Sequence, residues 1–335
     1  MGSLARYGII GGAKVAVRDL GCLPVPIRTN DFAAEALRTL GFDPVRQKIE
    51  AGIRLDPSEI EALVLRAPLS VLMKLVEIGR QVTPHVEPTP IVAVSLAPGA
   101  LNDGLNGLRR IEHPVIEVLL QDIQLEDLGA GLEERVSAVA RSRSGLTIVG
   151  PTAEDILDWI HAHGRCSRVL HDLTLGGIVT RLRHAGIDRL RACRDVAALA
   201  AVSSVGFRQS FCTALDTLAT PRDIAEHLHA IDTFSRADGL LSVWFPGFSQ
   251  TCRTFPLTGA ALDLLMLRML ALGTVCLPKV PRRRASSRYL SLEGFSVAHL
   301  CGANDFGFGA LDDITRDVLQ LKKLGALREA RPGQR

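Results

Sequence analysis

The chain has 335 residues, 47% of them hydrophobic, and a net charge of +3. That length carries one large α/β barrel with an extension, or two ordinary domains. A charge so near balance, with 4% aromatic residues, argues against a nucleic-acid partner. The most apolar segment, Leu262 to Leu272, is short and holds Arg268, which argues against a membrane span. Seven cysteines without a C-x-x-C pair, and a Met1-Gly2-Ser3-Leu4 start without a secretion pattern, point to a reduced, cytoplasmic protein.

Residues 1–30 read as an irregular arm. Tyr7 to Gly12 looks superficially like a phosphate loop but has no room for the strand that should precede it. A helix follows over Asp31 to Leu40, and a second from Asp43-Pro44 to about Gly52. A third opens at Asp56-Pro57-Ser58-Glu59, with Asp as cap, Pro in the first turn and Glu at N3. A fourth starts at Pro68, with Leu69, Leu72, Met73 and Val76 mostly on one face. From Pro90 onward short apolar runs alternate with amphipathic segments. Strands are predicted at Ile91 to Leu96, Val115 to Leu120, Leu146 to Pro151, Arg168 to Leu173, Arg189 to Cys193, Ser204 to Leu215, Leu240 to Phe245, Val275 to Val280 and Val297 to Cys301. Helices are predicted at Gly131 to Ala140, after Thr152, at Gly176 to Ala185, after Thr220-Pro221 and at Leu257 to Leu272, while Leu101 to Gly107 reads as a loop. The alternation predicts an α/β fold, a (β/α)8 TIM-type barrel. The expected division is residues 1–83 as arm and helical extension, 84–322 as barrel and 323–335 as tail.

Several stretches carry a family resemblance. They are Lys48 to Leu55, Leu182-Arg183-His184-Ala185-Gly186-Ile187-Asp188-Arg189-Leu190, Gly206 through Thr220-Pro221, and Cys301-Gly302-Ala303-Asn304-Asp305-Phe306-Gly307. The chain resembles the radical S-adenosylmethionine (SAM) family that includes aminofutalosine synthase, dehypoxanthine futalosine cyclase and the deazaflavin FO synthase. The resemblance spans roughly residues 45–320. Pro88-Thr89 then stands where the family has Asn-Pro-Thr-Asn, and Val92, Leu96 and Gly99 fall where its three cluster cysteines should be. An iron–sulfur cluster needs thiolates, so the resemblance implies a radical-SAM-like barrel with a degenerate cluster motif and no [4Fe–4S] cluster. SAM remains a ligand the family would bring.

Cys193, Cys212, Cys276 and Cys301 are placed on predicted strands, where core packing is the expected role rather than a metal site. His161, His163, Cys166 and His171 have a zinc-like composition but straddle a helix end, so no metal site is assigned. Functional groups of a barrel collect at the C-terminal strand ends. The polar residues expected there are Asp172, His171 and Asp216 as catalytic groups, with Arg194, Asp195, Lys279, Asn304 and Asp305 as ligand-binding ones, and Thr89, ahead of the first strand, is also expected to bind ligand. Arg282-Arg283-Arg284 with Arg288 reads as a solvated basic loop in preference to a phosphate site.

Two functions are expected. One is a non-radical enzyme of small-molecule biosynthesis, of lyase or transferase type, binding SAM, a nucleoside-like molecule or an aromatic acid. The other is a non-catalytic partner or regulatory subunit of an active homologue, touching it through the basic loop and helical extension. A small-molecule ligand and a homodimer or homologous partner are the expected associations.

Overall fold

Eight parallel strands form one sheet, most of them built on short apolar runs. They are β1 (Thr89–Ser95), β2 (Ile116–Gln121), β3 (Leu146–Val149), β4 (Leu190–Cys193), β5 (Gln209–Ala214), β6 (Leu241–Gly247), β7 (Arg282–Ser286) and β8 (Asp305–Phe308). The computed structural model describes residues 8–10, 13–15, 35–79, 89–111, 115–125, 130–163, 174–249, 252, 257–286 and 288–308.

Each strand pairs with its sequence neighbour, and β8 returns to pair with β1 through Gly307 and Thr89. The two remaining edges, β3 and β4, meet at a single parallel bridge between Val149 and Arg189. Backbone bonds from Gly150 to Arg189 (2.9 Å), Asp188 to Ile148 (2.9 Å) and Arg191 to Pro151 (3.0 Å) stitch this seam. The result is a ring of strands with a helical coat, the architecture expected from the alternation.

The coat consists of α4 (Leu101–Arg109) after β1, α5 (Ala130–Ser142) after β2, and α6 (Ala153–His163) with α7 (Leu175–His184) after β3. It continues with α8 (Val196–Ser203), α9 (Pro221–Asp238), α10 (Ala260–Cys276) and α11 (Leu292–Val297). Ahead of the barrel lie α1 (Asp43–Glu50), α2 (Pro57–Arg66) and α3 (Leu69–Gly79). Asp56 and Glu59 form the expected capping box on α2, each side chain accepting the other's backbone N–H at 2.9 Å. The same reciprocal pattern opens α9 at Thr220 and Asp223.

The extension is part of the coat. α2 packs on α9 and α3 on α10. Arg54 holds the buried Asp232 of α9 at 3.1 Å, and Arg268 of α10 donates to the Val64 carbonyl at 2.9 Å. No helix among the described residues is long and apolar enough to cross a membrane.

Five expected elements differ. Within the arm read as irregular, Gly8–Ile10 pairs antiparallel with Ala13–Val15. Leu101 to Gly107 is helical despite two glycines, because α4 lies so close to β1 that a Cβ on Gly104 would come within 2.9 Å of the Val94 side chain. Val275 and Cys276 are the last turn of α10 rather than a strand, and the apolar positions there pack into the barrel coat. Val297 to Cys301 is the end of α11 and a 3-10 turn. Cys276 and Cys301 are therefore off the strands, whereas Cys193 and Cys212 lie on β4 and β5. The seventh strand is instead Arg282–Ser286, so the supposed solvated loop is barrel wall, with Arg283 only 1% and Arg284 5% exposed. The strand expected at Arg168 to Leu173 lies outside the described residues.

Candidate functional site

Side chains alternate across each strand. On β1 the Val94 face meets α4, which places Val92 and Leu96 on the same outward face, away from the barrel interior. On β2, Glu117, Leu119 and Gln121 point inward, and on β7 Arg284 and Ser286 do so. Arg283 points out and donates to the Val280 carbonyl at 2.7 Å.

A TIM barrel ordinarily fills its interior with branched apolar side chains. Here the interior layer between β2, β4, β7 and β8 is ionic. Arg284 forms two hydrogen bonds to Glu117, at 2.8 and 2.6 Å, and one to Asp305 at 2.9 Å. Arg189, just before β4, also pairs with Glu117. All four residues are buried. Burial alone would raise the Glu117 carboxyl, but the Arg284 and Arg189 guanidinium groups outweigh it and hold the pKa at about 2. Buried charges of this kind persist only when paired and hydrogen-bonded.

Above this layer, at the C-terminal strand ends, a cavity of about 380 Å³ opens to solvent. Its floor is Glu117 and Arg284. One side carries Arg191 and Arg194 from the end of β4, and the other Phe245, Phe248 and Tyr289 from the ends of β6 and β7, with Cys212 of β5 between. Arg288 stands at the rim, its guanidinium 5.6 Å from the Tyr289 ring centre. Phe248 and Tyr289 meet edge to face with ring centres 5.4 Å apart.

Arg191 donates to the Leu120 carbonyl, and burial pushes its pKa down, so its charge is under-solvated. The backbone N–H groups of Arg194 and Asp195 both donate to Glu154, at 2.6 and 3.1 Å, which fixes the turn that presents Arg194. Burial pushes the Cys212 thiol up to about 12, the nearby Arg194 opposing it, so the thiol is protonated at neutral pH. The Tyr289 hydroxyl is also pushed up, chiefly by burial. Among the described residues, no carboxylate forms an ion pair with Arg191, Arg194 or Arg288.

Of the residues expected at the mouth, Arg194 lines the cavity. Asp216 lies in the turn after β5 and receives two hydrogen bonds from Ser249, a lining residue: the N–H at 2.7 Å and the hydroxyl. Desolvation opposes ionisation of Asp216, but the Ser249 donors prevail and lower its pKa. Asp195 caps α8, accepting from Ala197 N–H at 2.9 Å. Lys279 sits in the turn entering β7, so it is on the opposite, N-terminal face of the barrel, displaced there because α10 runs longer than expected. Asn304 and Asp305 enter β8 rather than follow it. Asn304 accepts from Arg283 N–H at 2.7 Å and donates to the Pro281 carbonyl at 2.9 Å, and Asp305 belongs to the ionic layer. Thr89 opens β1. His171 and Asp172 lie outside the described residues, as do Cys166 and Cys22. Among the described residues, no group of three His, Cys, Asp or Glu side chains could hold a metal.

Glu117, Arg191, Arg284 and Tyr289 were not anticipated. A carboxylate inside the apolar run Ile116-Glu117-Val118-Leu119-Leu120 was the available signal for the first. An apolar strand tolerates a charge only with a buried partner. Nothing local identifies that partner, which lies 167 residues away.

No family model matches this chain, and no curated protein does. Solved structures do. Methylornithine synthase (PylB) superposes with a TM-score of 0.60 at 12% identity, over 86% of this chain and 97% of that one. The FeFe-hydrogenase maturase HydG from Carboxydothermus hydrogenoformans gives 0.57 at 12% identity, over 84% and 74%. A second HydG structure gives 0.56 at 10% identity, over 84% and 70%. These likenesses show the fold: an α/β barrel of the type those proteins carry.

Proposed function

We propose that this chain is a non-radical enzyme of small-molecule biosynthesis, of lyase or transferase type, acting in the mouth of a radical-SAM-like barrel. The observation that carries the reading is the open cavity at the C-terminal strand ends, lined by Arg191, Arg194 and Arg288, which form no ion pair with a carboxylate among the described residues. In barrels that face is where chemistry is done, and guanidinium groups there stabilise negative charge on a bound or reacting molecule.

The loop after β1 supports the non-radical part. Leu96-Ala97-Pro98-Gly99-Ala100 passes directly into α4 and offers no thiol, while Leu96 N–H is tied to the Gln121 carbonyl at 3.0 Å. Val92 is mid-strand on the outward face, so its position is not a ligand position for a cluster at the mouth. The residues present in this loop do not fit a thiolate-bound cluster. What remains is polar chemistry. Arg191 and Arg194 orient and stabilise an anion. Cys212 and Tyr289 keep their protons and serve as hydrogen-bond donors. Asp216, held ionised by Ser249, is the carboxylate nearest the rim from β5. SAM, a nucleoside-like molecule or an aromatic acid are the ligands this reading admits.

The alternative of a non-catalytic partner to a homologue loses one support, because Arg283 and Arg284 are buried in β7 and cannot form a basic contact loop. The test is incubation with a small-molecule extract, with and without SAM and a strong reductant, followed by mass-spectrometric profiling. A conversion that needs no reductant and disappears in Arg194→Gln is expected. A conversion that requires reductant and cleaves SAM, or none under any condition, overturns the reading.

A further inference from the structure

The charge balance of the mouth narrows its ligand, taking the cavity as the functional site proposed above. Among the described lining residues there are four guanidinium groups and a single carboxylate, Glu117. That carboxylate is already shared between Arg284 and Arg189 below the cavity. Arg284 is in turn matched by Asp305. The guanidinium groups of Arg191, Arg194 and Arg288 line the space, and among the described residues none of them forms an ion pair with a carboxylate. A cationic ligand centre entering here would meet like charge in a partly desolvated site, which costs more than it would in water; the ionised carboxylate at the rim among the described residues, Asp216, already accepts two hydrogen bonds from Ser249.

The walls are also unequal. Arg191 and Arg194 sit together at the end of β4. Phe245, Phe248 and Tyr289 sit at the ends of β6 and β7, with the small Ser210 and Cys212 of β5 leaving room between. An acid group against β4 therefore places the rest of a small ligand across β5 and onto an aromatic surface. The cavity of about 380 Å³ is at the small end of ligand pockets.

We infer that the mouth binds a flat, ring-bearing organic anion, its acid group on Arg191 and Arg194 and its ring against Phe248 and Tyr289, and that it discriminates against SAM. SAM carries a sulfonium and an ammonium beside its one carboxylate, so two of its three charged groups have the wrong sign for these walls. Guanidinium forks recognise carboxylate and phosphate alike, so the shared chemistry is an anion on a planar ring.

Isothermal titration of the whole chain with 4-hydroxybenzoate, adenosine 5′-monophosphate and SAM separates the sources. The expected result is binding of one of the two anions, weakened at least tenfold in Arg194→Gln and in Arg191→Gln and weakened by added salt, with SAM at least tenfold weaker. Tighter binding of 4-hydroxybenzoate identifies a carboxylate ligand; tighter binding of the monophosphate identifies a phosphate. Thermal melting of both variants shows that they remain folded. SAM binding as tightly as either anion, no binding of either anion, or anion affinity unchanged in both variants each overturns the inference. SAM bound in the mouth and lost in Phe248→Ala would overturn it while leaving the cavity as the functional site.

Discussion

Arg284 on β7 and Glu117 on β2 are joined by two near-parallel hydrogen bonds of 2.8 and 2.6 Å, across the interior of a barrel in which β1 and β8 stand between their strands. This fork ties the two halves of the sheet together from inside and forms the floor of the mouth. Its geometry is the bidentate arrangement that makes arginine–carboxylate pairs strong and directional.

Removing one member leaves the other charged and buried with one partner fewer, Arg284 with Asp305 alone or Glu117 with Arg189 alone. Glu117→Gln and Arg284→Met should each lower unfolding free energy by about 3–5 kcal/mol. Urea titration followed by circular dichroism measures this. A loss below about 1 kcal/mol, the range of an exposed pair, would show that the pair is solvated in solution.

The same pair sets an acid limit. The Glu117 carboxyl lies at about 2 in the folded chain, below its ordinary value of 4.5. A depressed carboxyl contributes stability that is complete above its unfolded pKa and is lost as pH falls through the folded one. Melting temperature should therefore be level above about pH 5 and fall steeply between about pH 4.5 and 2. A melting temperature that stays level down to pH 2 would contradict the assignment.

Packing of α10 on β6 depends on a missing methyl group. A Cβ on Gly273 would overlap the six-membered ring of Trp244, whose indole N–H donates to Thr213 at 2.8 Å. Alanine favours the helix by about 1 kcal/mol, but overpacking costs about 1–3 kcal/mol, and the buried indole has nowhere to retreat. Gly273→Ala should lower stability, and Trp244→Phe in the same chain should recover part of the loss. Equal losses with and without Trp244→Phe would show that the contact is not the cause.

Asp216 and Ser249 tie the turn after β5 to the end of β6, next to Phe248. Asp216→Asn should weaken binding of the preferred anion several-fold while shifting the melting temperature little, since the turn is exposed. A large drop in melting temperature with unchanged affinity would assign Asp216 a purely structural part.

Much of the barrel was legible in local chemistry. The boxes at Asp56 and Thr220, the cap at Thr152 and the stop at Gly186 mark helix ends that depend only on neighbours in sequence. The errors fell where a distant partner decides. Gly104 and Gly107 read as loop because nothing local shows that the Val94 side chain of β1 approaches α4 closely enough to exclude a Cβ at Gly104. Val275 to Val280 has strand-like composition, yet Val275 and Cys276 complete a helix whose register was already set upstream. Three consecutive arginines read as solvated, but Arg284 is neutralised by Glu117 and Asp305, 167 and 21 residues away. The mouth was located by strand order, and Arg194 was found that way. Lys279 and Asn304 were misplaced along with the boundaries of β7 and β8.

The most direct test of non-radical chemistry in this barrel is the iron and acid-labile sulfide content of the full chain. It should be measured after anaerobic purification and reconstitution with iron and sulfide, and paired with electron paramagnetic resonance of the reduced sample. The account predicts no stoichiometric iron or sulfide and no reduced-cluster signal. About four irons and four sulfides per chain, the content of a [4Fe–4S] cluster, with that signal present, would contradict it.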